Sequence, residues 1–234
     1  MKDFILIIGV ITYLISIILI PVLLFKRGVF SKYFVRKFVH TTAGLSILAI
    51  PFLSTPLISL IISLTATIGL RIINQKSKLK IIQDIYTTLA EKDELEIGYL
   101  QGPFGYSLAI TLMTFIYVLF PAYVGIIVTS IFIMIFADTM AGIVGKKYGK
   151  HKIVILNKIQ KRSFEGSAVM FVVSFFITIS IFLLIKSYRD VFLIAIITSI
   201  VATIIEMLSP SKWDDLAIPI GTSLILIIFL QFIV

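Results

Sequence analysis

The sequence predicts an all-α fold, a polytopic membrane bundle of about eight transmembrane helices. Of the 234 residues, 59% are hydrophobic and only 14% are charged, whereas a soluble domain carries about 25% charged residues. Several apolar runs reach about 20 residues, the length that crosses a bilayer as a helix. These observations exclude a soluble globular fold, and they make the lipid bilayer the first partner of the chain.

The individual spans follow from the apolar runs and from the charges and prolines that interrupt them. The predicted spans are Phe4–Phe25, Arg36–Ile50, a third from Pro56 to about Ile73, a fourth ending near Phe120, Ala122–Val144, Glu165–Ile185, Val191–Leu208 and Leu216–Val234. We expect them to form one integral-membrane catalytic domain over residues 1–234.

Two polar segments interrupt this series of spans. In the first, Leu79–Leu95 spaces its apolar residues as an amphipathic helix on the membrane surface does. The second, Lys146–Arg162, is a basic loop, within which Lys152–Leu156 favours a short strand or hairpin.

The distribution of lysine and arginine predicts the orientation. With the N-terminus outside, the inward-facing loops hold 18 of the 21 Lys and Arg residues, so both termini are expected outside and the polar loops in the cytoplasm. The same distribution accounts for the net charge of +9 without a nucleic-acid partner. Because the chain has no cysteine, disulfides, thiol nucleophiles and Cys-ligated metals are excluded.

The first group of candidate functional residues is Arg36, Lys37 and His40, at the start of the second span. On a helix these side chains fall on neighbouring turns, beside backbone N–H groups that favour an anion. Two interpretations are open for the cations: phosphate binding, or snorkelling at the membrane surface. His40 is harder to explain structurally, since ionisable groups inside a span are costly.

Asp138, in the last turns of the fifth span, is the strongest single candidate. An unpaired aspartate in hydrocarbon costs about 3 kcal/mol on insertion scales. It therefore needs a partner, either a loop lysine in a structural ion pair or a metal ion. Gly142 and Gly145 follow at helical spacing, which also suits close helix packing.

The third group opens the sixth span. Lys161, Arg162 and Ser163 precede a helix whose first turn contains Glu165 and Gly166. Cations and a hydroxyl before a helix N-terminus favour a phosphate, although a capped helix start with solvated charges explains the same residues.

The fourth group consists of three acids, Glu206, Asp214 and Asp215, on either side of the turn between the last two spans. Carboxylates spaced in this way hold Mg²⁺ together with phosphate oxygens. All four groups fall at the predicted cytoplasmic ends of spans. Their cations and acids are what a nucleotide triphosphate, Mg²⁺ and an acceptor arriving from the bilayer require.

These residues resemble a known family, the CTP-dependent polyprenol kinases, which comprise dolichol kinases and phytol or farnesol kinases. The chain is more distantly similar to the phosphatidate cytidylyltransferases. Five motifs in order carry the resemblance: Arg36-Lys37-x-x-His40-x-x-x-Gly44, Gly102-Pro103 with Tyr106, Asp138-x-x-Ala141-x-x-x-Gly145-Lys-Lys-Tyr-Gly149, Lys161-x-Ser163-x-Glu165-Gly166, and Glu206 followed by Asp214-Asp215-Leu-Ala-Ile-Pro219.

Two positions depart from the family pattern. Gly142 stands where phytol kinases carry a second aspartate, an acid that dolichol kinases also lack. Asp215 stands where the family has asparagine. The chain is short for a eukaryotic dolichol kinase, so we expect a prokaryotic protein of the cell membrane.

The resemblance implies a kinase that transfers the γ-phosphoryl group of a nucleotide, CTP, to the hydroxyl of an isoprenoid alcohol. It implies catalytic roles for His40, Asp138 and Lys161, with either His40 or an aspartate taking the proton of the alcohol. Mg²⁺ would lie at Asp138, helped by Asp214 or Asp215 and by Glu206. The nucleotide would contact Arg36, Lys37, Lys146, Lys147, Arg162, Ser163, Glu165 and Gly166.

Other functions are open alternatives. A lipid cytidylyltransferase needs the same nucleotide and metal but makes a CDP-activated lipid from a lipid phosphate. A small secondary transporter predicts internal repeats and polar groups near the bilayer midplane, whereas the mid-span positions are almost uniformly apolar. A non-catalytic scaffold gives no reason to keep Asp138 and Glu206 inside spans.

Overall fold

The computed structural model describes residues 1–155, 158–185, 190–210 and 213–233. The chain divides into two compact units, Met1–Val118 and Leu119–Val234. Both are built almost wholly of helices, which confirms the all-α membrane class. That the whole chain acts as one catalytic domain stays a prediction.

Among the described residues, five helical stretches are long and apolar enough to cross a membrane, so the predicted number of eight is not confirmed. They are Lys2–Lys26, Gln101–Leu119, Pro121–Tyr148, Phe164–Leu184 and Val191–Leu208. Pro56–Ile72 is apolar but shorter. The predicted second span changes from an α-helix to a 3₁₀ helix after Gly44.

The amino-terminal unit packs its first two helices against a short surface helix. Its elements are α1 (Lys2–Lys26), α2 (Lys32–Gly44), a 3₁₀ helix (Leu45–Phe52), α3 (Pro56–Ile72), α4 (Lys80–Leu89), α5 (Lys92–Ile97) and α6 (Gln101–Leu119). The amphipathic segment predicted over Leu79–Leu95 is thus two helices, because Glu91 begins a new helix with a capping box. The apolar face of α4 packs against α1 and α2 through Ile85, Tyr86 and Leu89.

Two lysines hold α4 in place from the connection between α1 and α2. Lys26 pairs with Asp84, and Lys32 Nζ donates to the Thr87 carbonyl at 2.8 Å. Burial lowers the pKa of Lys32, with the nearby Arg36 charge as a second cause. Part of the basic charge that the sequence assigned to membrane orientation therefore stabilises the fold.

Hydroxyl groups line the contact between α3 and α6. Thr67 Oγ1 lies 2.7 Å from Ser107 Oγ and 2.9 Å from Thr111 Oγ1, while Ser63 and Thr114 are 2.8 Å apart. Mid-span positions are therefore less uniformly apolar than the sequence suggested. These hydroxyls bond to one another, which is how small polar residues join helices in a membrane.

A buried carboxylate, Glu94, joins three parts of the amino-terminal unit. Only 4% of Glu94 is exposed. Its Oε2 accepts from Arg36 Nη1 at 2.8 Å and from the Glu91 N–H at 2.7 Å, and its Oε1 accepts from the Gly102 N–H at 2.6 Å. The carboxylate thus caps α5 and the start of α6 while pairing with α2.

Arg36 and Tyr86 complete the surroundings of Glu94. Arg36 Nη1 also donates to the Leu89 carbonyl at 2.8 Å, and Arg36 Nε lies 3.3 Å from Glu91. Tyr86 donates to the Glu94 carbonyl at 2.8 Å, and burial raises the pKa of the Tyr86 hydroxyl. A Cβ at Gly102 would lie 2.7 Å from Arg36 Nη2, so a larger residue here would displace the Arg36 guanidinium from its present position.

We expect Glu94→Gln to lower the free energy of unfolding by about 1–3 kcal/mol, because it leaves buried donors without a charged acceptor. Thermal unfolding of the purified protein in detergent measures the change. Glu96→Gln is the matched control, since Glu96 lies in the same short helix and is exposed. Equal melting temperatures for the two variants would contradict a structural role for Glu94.

Candidate functional site

The charged residues of the carboxy-terminal unit lie on its helices and on a short hairpin. After a short 3₁₀ helix (Pro121–Tyr123), the elements are α7 (Val124–Phe132), a π-helical turn (Ile133–Asp138), α8 (Thr139–Tyr148), β1 (Lys152–Ile155), β2 (Lys158–Ser163), α9 (Phe164–Ile185), α10 (Val191–Leu208) and α11 (Asp214–Ile233). Within this unit α9 packs against α8 and α10, and α11 packs against α10 and α7. The predicted hairpin is confirmed: β1 pairs with β2 in antiparallel register.

Asp138 is the last residue of the π-helical turn. A π turn inside an α-helix is rare and occurs frequently at functional sites, because it changes the direction of side chains without ending the helix. Four of the five residues before Asp138 in this turn are fully buried, among them Met134, Ile135 and Ala137. Asp138 itself is half-buried and directly precedes α8.

The carboxylates of Asp138 and Asp215 come close together. An oxygen of one lies within 4.8 Å of an oxygen of the other. In the part of the chain that the structure describes, the Asp138 side chain makes no ion pair or hydrogen bond, so no described lysine is the partner that the sequence required. Two carboxylates at this separation repel each other and favour a cation between them.

This pair fits a hard divalent cation. Mg²⁺ is bound in proteins by one or two carboxylates together with substrate phosphate oxygens. Asp215 lies in the first turn of α11, where the Asp214 carboxylate accepts its backbone N–H at 3.0 Å. Of the four acids predicted as metal ligands, Asp138 and Asp215 are the two that lie together with no arginine between them, and their metal role stays a prediction.

The other two acids, Glu206 and Asp214, share one arginine. Arg162 Nη1 lies 2.6 Å from Glu206 Oε1, and Arg162 Nη2 donates to Asp214 Oδ2 at 2.8 Å. The second Glu206 oxygen accepts from the Ser167 hydroxyl at 2.9 Å. The three charged side chains are 7–15% exposed, so these are nearly buried ion pairs.

Arg162 was predicted to hold phosphate and Glu206 and Asp214 to hold metal. The structure instead brings the three together with one another. The nucleotide and metal roles of these three residues stay predictions.

Glu165 closes the base of the hairpin. Its Oε1 accepts the backbone N–H of Lys150 at 3.1 Å and of His151 at 3.2 Å, and lies 2.7 Å from His151 Nδ1. This carboxylate, predicted to contact nucleotide, thus holds the chain after α8 against the start of α9.

Ser163 and three glycines form the crossing of α8 and α9. Ser163 is 1% exposed, and its hydroxyl accepts the Gly166 N–H at 3.3 Å. A Cβ on Gly145 would lie 3.5 Å from the Gly166 Cα, and a Cβ on Gly149 would overlap the Ser163 side chain. The glycines therefore permit close packing, as one interpretation of the sequence proposed for Gly145.

Two predicted phosphate ligands, Lys146 and Lys147, lie in the last turn of α8 with exposed side chains. Lys147 Nζ lies 5.0 Å from the centre of the Tyr148 ring. The side chain of Lys161, predicted to be catalytic, lies outside the described part of the chain.

The remaining predicted residues, Arg36, Lys37 and His40, belong to α2 of the amino-terminal unit. Arg36 pairs with Glu94, as described above, and Lys37 is half-buried. The His40 ring lies 4.5 Å from the Tyr106 ring, and the Tyr106 hydroxyl donates to the His40 carbonyl at 2.9 Å. The resemblance motif that contains Tyr106 thus positions the helix that carries His40.

Sequence reasoning did not assign roles to Glu94, His151 or Ser167. Glu94 carried one usable signal, since it stands three residues after Glu91 at the spacing of a capping box. The partners of Ser167 and His151 depend on tertiary packing, and no local pattern marks them.

Comparison with known proteins gives one similarity over most of the chain. A phytol kinase of Synechocystis sp. is 27% identical over 221 residues, which cover 92% of this chain and 87% of that protein. No family model matches the chain. No solved structure matches it.

We expect Gly166→Ala to lower the free energy of unfolding by about 1–3 kcal/mol, because the added methyl group is overpacked. Its Cβ would lie 2.9 Å from the Ala141 carbonyl oxygen and 3.3 Å from the Gly145 Cα. Thermal unfolding in detergent measures the effect.

The control for this variant is Gly9→Ala in α1, where an added Cβ meets nothing within 4 Å. We expect Gly9→Ala to be neutral or stabilising by up to about 1 kcal/mol, as alanine favours a helix over glycine. A Gly166→Ala protein as stable as the control would show that the helix crossing tolerates a wider spacing.

Proposed function

We propose that this protein is a membrane kinase that transfers the γ-phosphoryl group of CTP to the hydroxyl of an isoprenoid alcohol. The observation that carries the proposal is the Asp138–Asp215 carboxylate pair, which lies at the ends of apolar helices and fits a divalent cation. The similarity to a phytol kinase supports the acceptor class, since phytol is an isoprenoid alcohol. Helices that cross the bilayer give such an acceptor direct access from the lipid phase.

In this proposal Asp138 and Asp215 hold the Mg²⁺ ion of the nucleotide. Magnesium neutralises phosphate charge and aligns the triphosphate when bound. Lys146 and Lys147, exposed at the end of α8, attract the phosphates, and Lys161 is proposed to contact the transferred group. Ser163, Glu165 and Gly166 support the site by fixing the hairpin and the start of α9 rather than by contacting nucleotide.

The reaction forms one bond and breaks one. The alcohol oxygen attacks the γ-phosphorus, and the bond between that phosphorus and the β,γ-bridging oxygen breaks, which releases CDP. The hydroxyl proton leaves to a base, for which His40 is the candidate, although an aspartate could take the same role. Phosphoryl transfer depends chiefly on alignment and charge neutralisation, so loss of the acids is expected to cost more than loss of the base.

The proposal places the reaction at the cytoplasmic face, with both termini outside. The basic loops support this orientation through the positive-inside rule. Nucleotides are available in the cytoplasm, whereas the alcohol is dissolved in the bilayer.

The test incubates the purified protein in lipid nanodiscs with labelled CTP, Mg²⁺ and a panel of isoprenoid alcohols. We expect a phosphorylated alcohol and CDP, with ATP, GTP and UTP as poorer donors. Asp138→Asn is expected to lower the rate by at least about 100-fold, the range seen when charge stabilisation of a transition state is removed. Asp190→Asn is the matched control, because Asp190 caps the opposite end of α10 from Glu206.

Other products would contradict the proposal. Pyrophosphate and a CDP-lipid, formed when a lipid phosphate is supplied, would identify a cytidylyltransferase. Binding of an alcohol or nucleotide without any turnover would favour a transporter or a scaffold. Full activity of the Asp138→Asn variant would show that the reaction does not need the carboxylate pair.

A further inference from the structure

The four acids of the carboxy-terminal unit divide into two pairs. Glu206 and Asp214 are each in contact with Arg162, at 2.6 Å and 2.8 Å. Asp138 and Asp215 lie within 4.8 Å of each other, and no described cation pairs with Asp138. The two pairs therefore differ in one respect: Arg162 contacts both acids of the first pair, Glu206 and Asp214.

We propose that Arg162 is a positioning residue that keeps Glu206 and Asp214 away from the divalent ion and so restricts the ion to Asp138 and Asp215. This inference rests on the proposed function, because it concerns the metal site of that reaction. It assigns the metal ligands within the acidic group, and it gives Arg162 a role other than phosphate binding.

The shape of the guanidinium group makes this separation possible. One nitrogen of its planar fork forms an ion pair with Glu206 on α10, and another donates a hydrogen bond to Asp214 on α11. Arg162 is 11% exposed, so its charge is largely removed from water and depends on these acids for compensation. A nucleotide phosphate that bound Arg162 directly would compete with these two nearly buried carboxylates for the same guanidinium group.

The same contacts fix the position of Asp215. Arg162 holds one oxygen of Asp214, and the other Asp214 oxygen accepts the Asp215 backbone N–H at 3.0 Å. Glu206 is held from its second side by the Ser167 hydroxyl at 2.9 Å. A series of hydrogen bonds and one ion pair thus leads from Ser167 on α9 through Glu206 and Arg162 to the first turn of α11, where Asp215 comes close to Asp138.

Charge predicts the consequence of removing Arg162. Arg162→Gln removes one positive charge that lies directly against Glu206 and Asp214. A divalent ion near these acids therefore meets a more negative potential. The substitution also removes the contacts that position Asp215. We therefore expect a tighter but misplaced ion, together with a slower reaction.

The test measures Mn²⁺ binding to the full-length protein in nanodiscs, from the loss of the free Mn²⁺ signal in electron paramagnetic resonance. For Arg162→Gln we expect the dissociation constant to fall about tenfold, the effect of one partly screened charge. For Asp138→Asn and Asp215→Asn we expect it to rise about tenfold or more. Glu206→Asp, which keeps the negative charge, is expected to change it by less than about threefold, because that side chain is not a ligand.

Activity supplies the second readout. We expect the kinase rate of Arg162→Gln to fall by about 100-fold while its Mn²⁺ affinity rises. A merely destabilised protein would lose both properties together. Arg162→Lys keeps the positive charge but lacks the planar fork. Its Mn²⁺ affinity is therefore expected to lie closer to that of the wild type than the affinity of Arg162→Gln does, and its rate is expected to exceed that of Arg162→Gln.

The outcomes separate this inference from the proposed function. Mn²⁺ binding by no form of the protein would overturn the metal site itself. Binding that Asp138→Asn abolishes but Arg162→Gln leaves unchanged or weakens would overturn the role of Arg162 alone. If Arg162→Gln does not fold, Glu206→Asp decides: a tenfold loss of affinity there, with the charge kept, would make Glu206 a ligand and contradict the inference.

Discussion

The ion pairs of Arg162 with Glu206 and Asp214 are the interaction on which the carboxy-terminal unit depends. Charged groups near hydrocarbon are tolerated only when they are paired or face a polar cavity. Arg162 satisfies two acids at once, at 2.6 Å and 2.8 Å, and so allows the ends of α10 and α11 to lie together. The approach of Asp215 to Asp138 follows from that arrangement.

The amino-terminal unit also contains a buried acid that is compensated by an arginine, the pair of Glu94 and Arg36. Glu94 is nearly fully buried, and three donors, among them Arg36, compensate its charge. These hydrogen bonds of the Glu94 carboxylate join α2, α5 and the start of α6. In both units an arginine that the sequence favoured for phosphate is paired with acids, which is what the low dielectric of a buried site requires.

The sequence predicted what depends on composition and short spacing. The helical membrane class and the hairpin after α8 follow from hydropathy and from the alternation of apolar residues. The pairing of Arg162 with acids 44 and 52 residues further on could not be predicted, because it depends on how helices pack. The predicted number of eight spans is not confirmed by the described helices, five of which are long and apolar enough to cross a membrane.

The central claim is that a divalent ion at Asp138 and Asp215 carries the nucleotide, with Arg162 retained by the neighbouring acids. The most direct measurement is an anomalous difference map of the protein crystallised with Mn²⁺ and a non-hydrolysable CTP analogue. We predict a single manganese peak bonded to Asp138, Asp215 and phosphate oxygens, with Arg162 still paired to Glu206 and Asp214. A peak bonded to Glu206 or Asp214, or nucleotide bound elsewhere without an ion, would contradict the account.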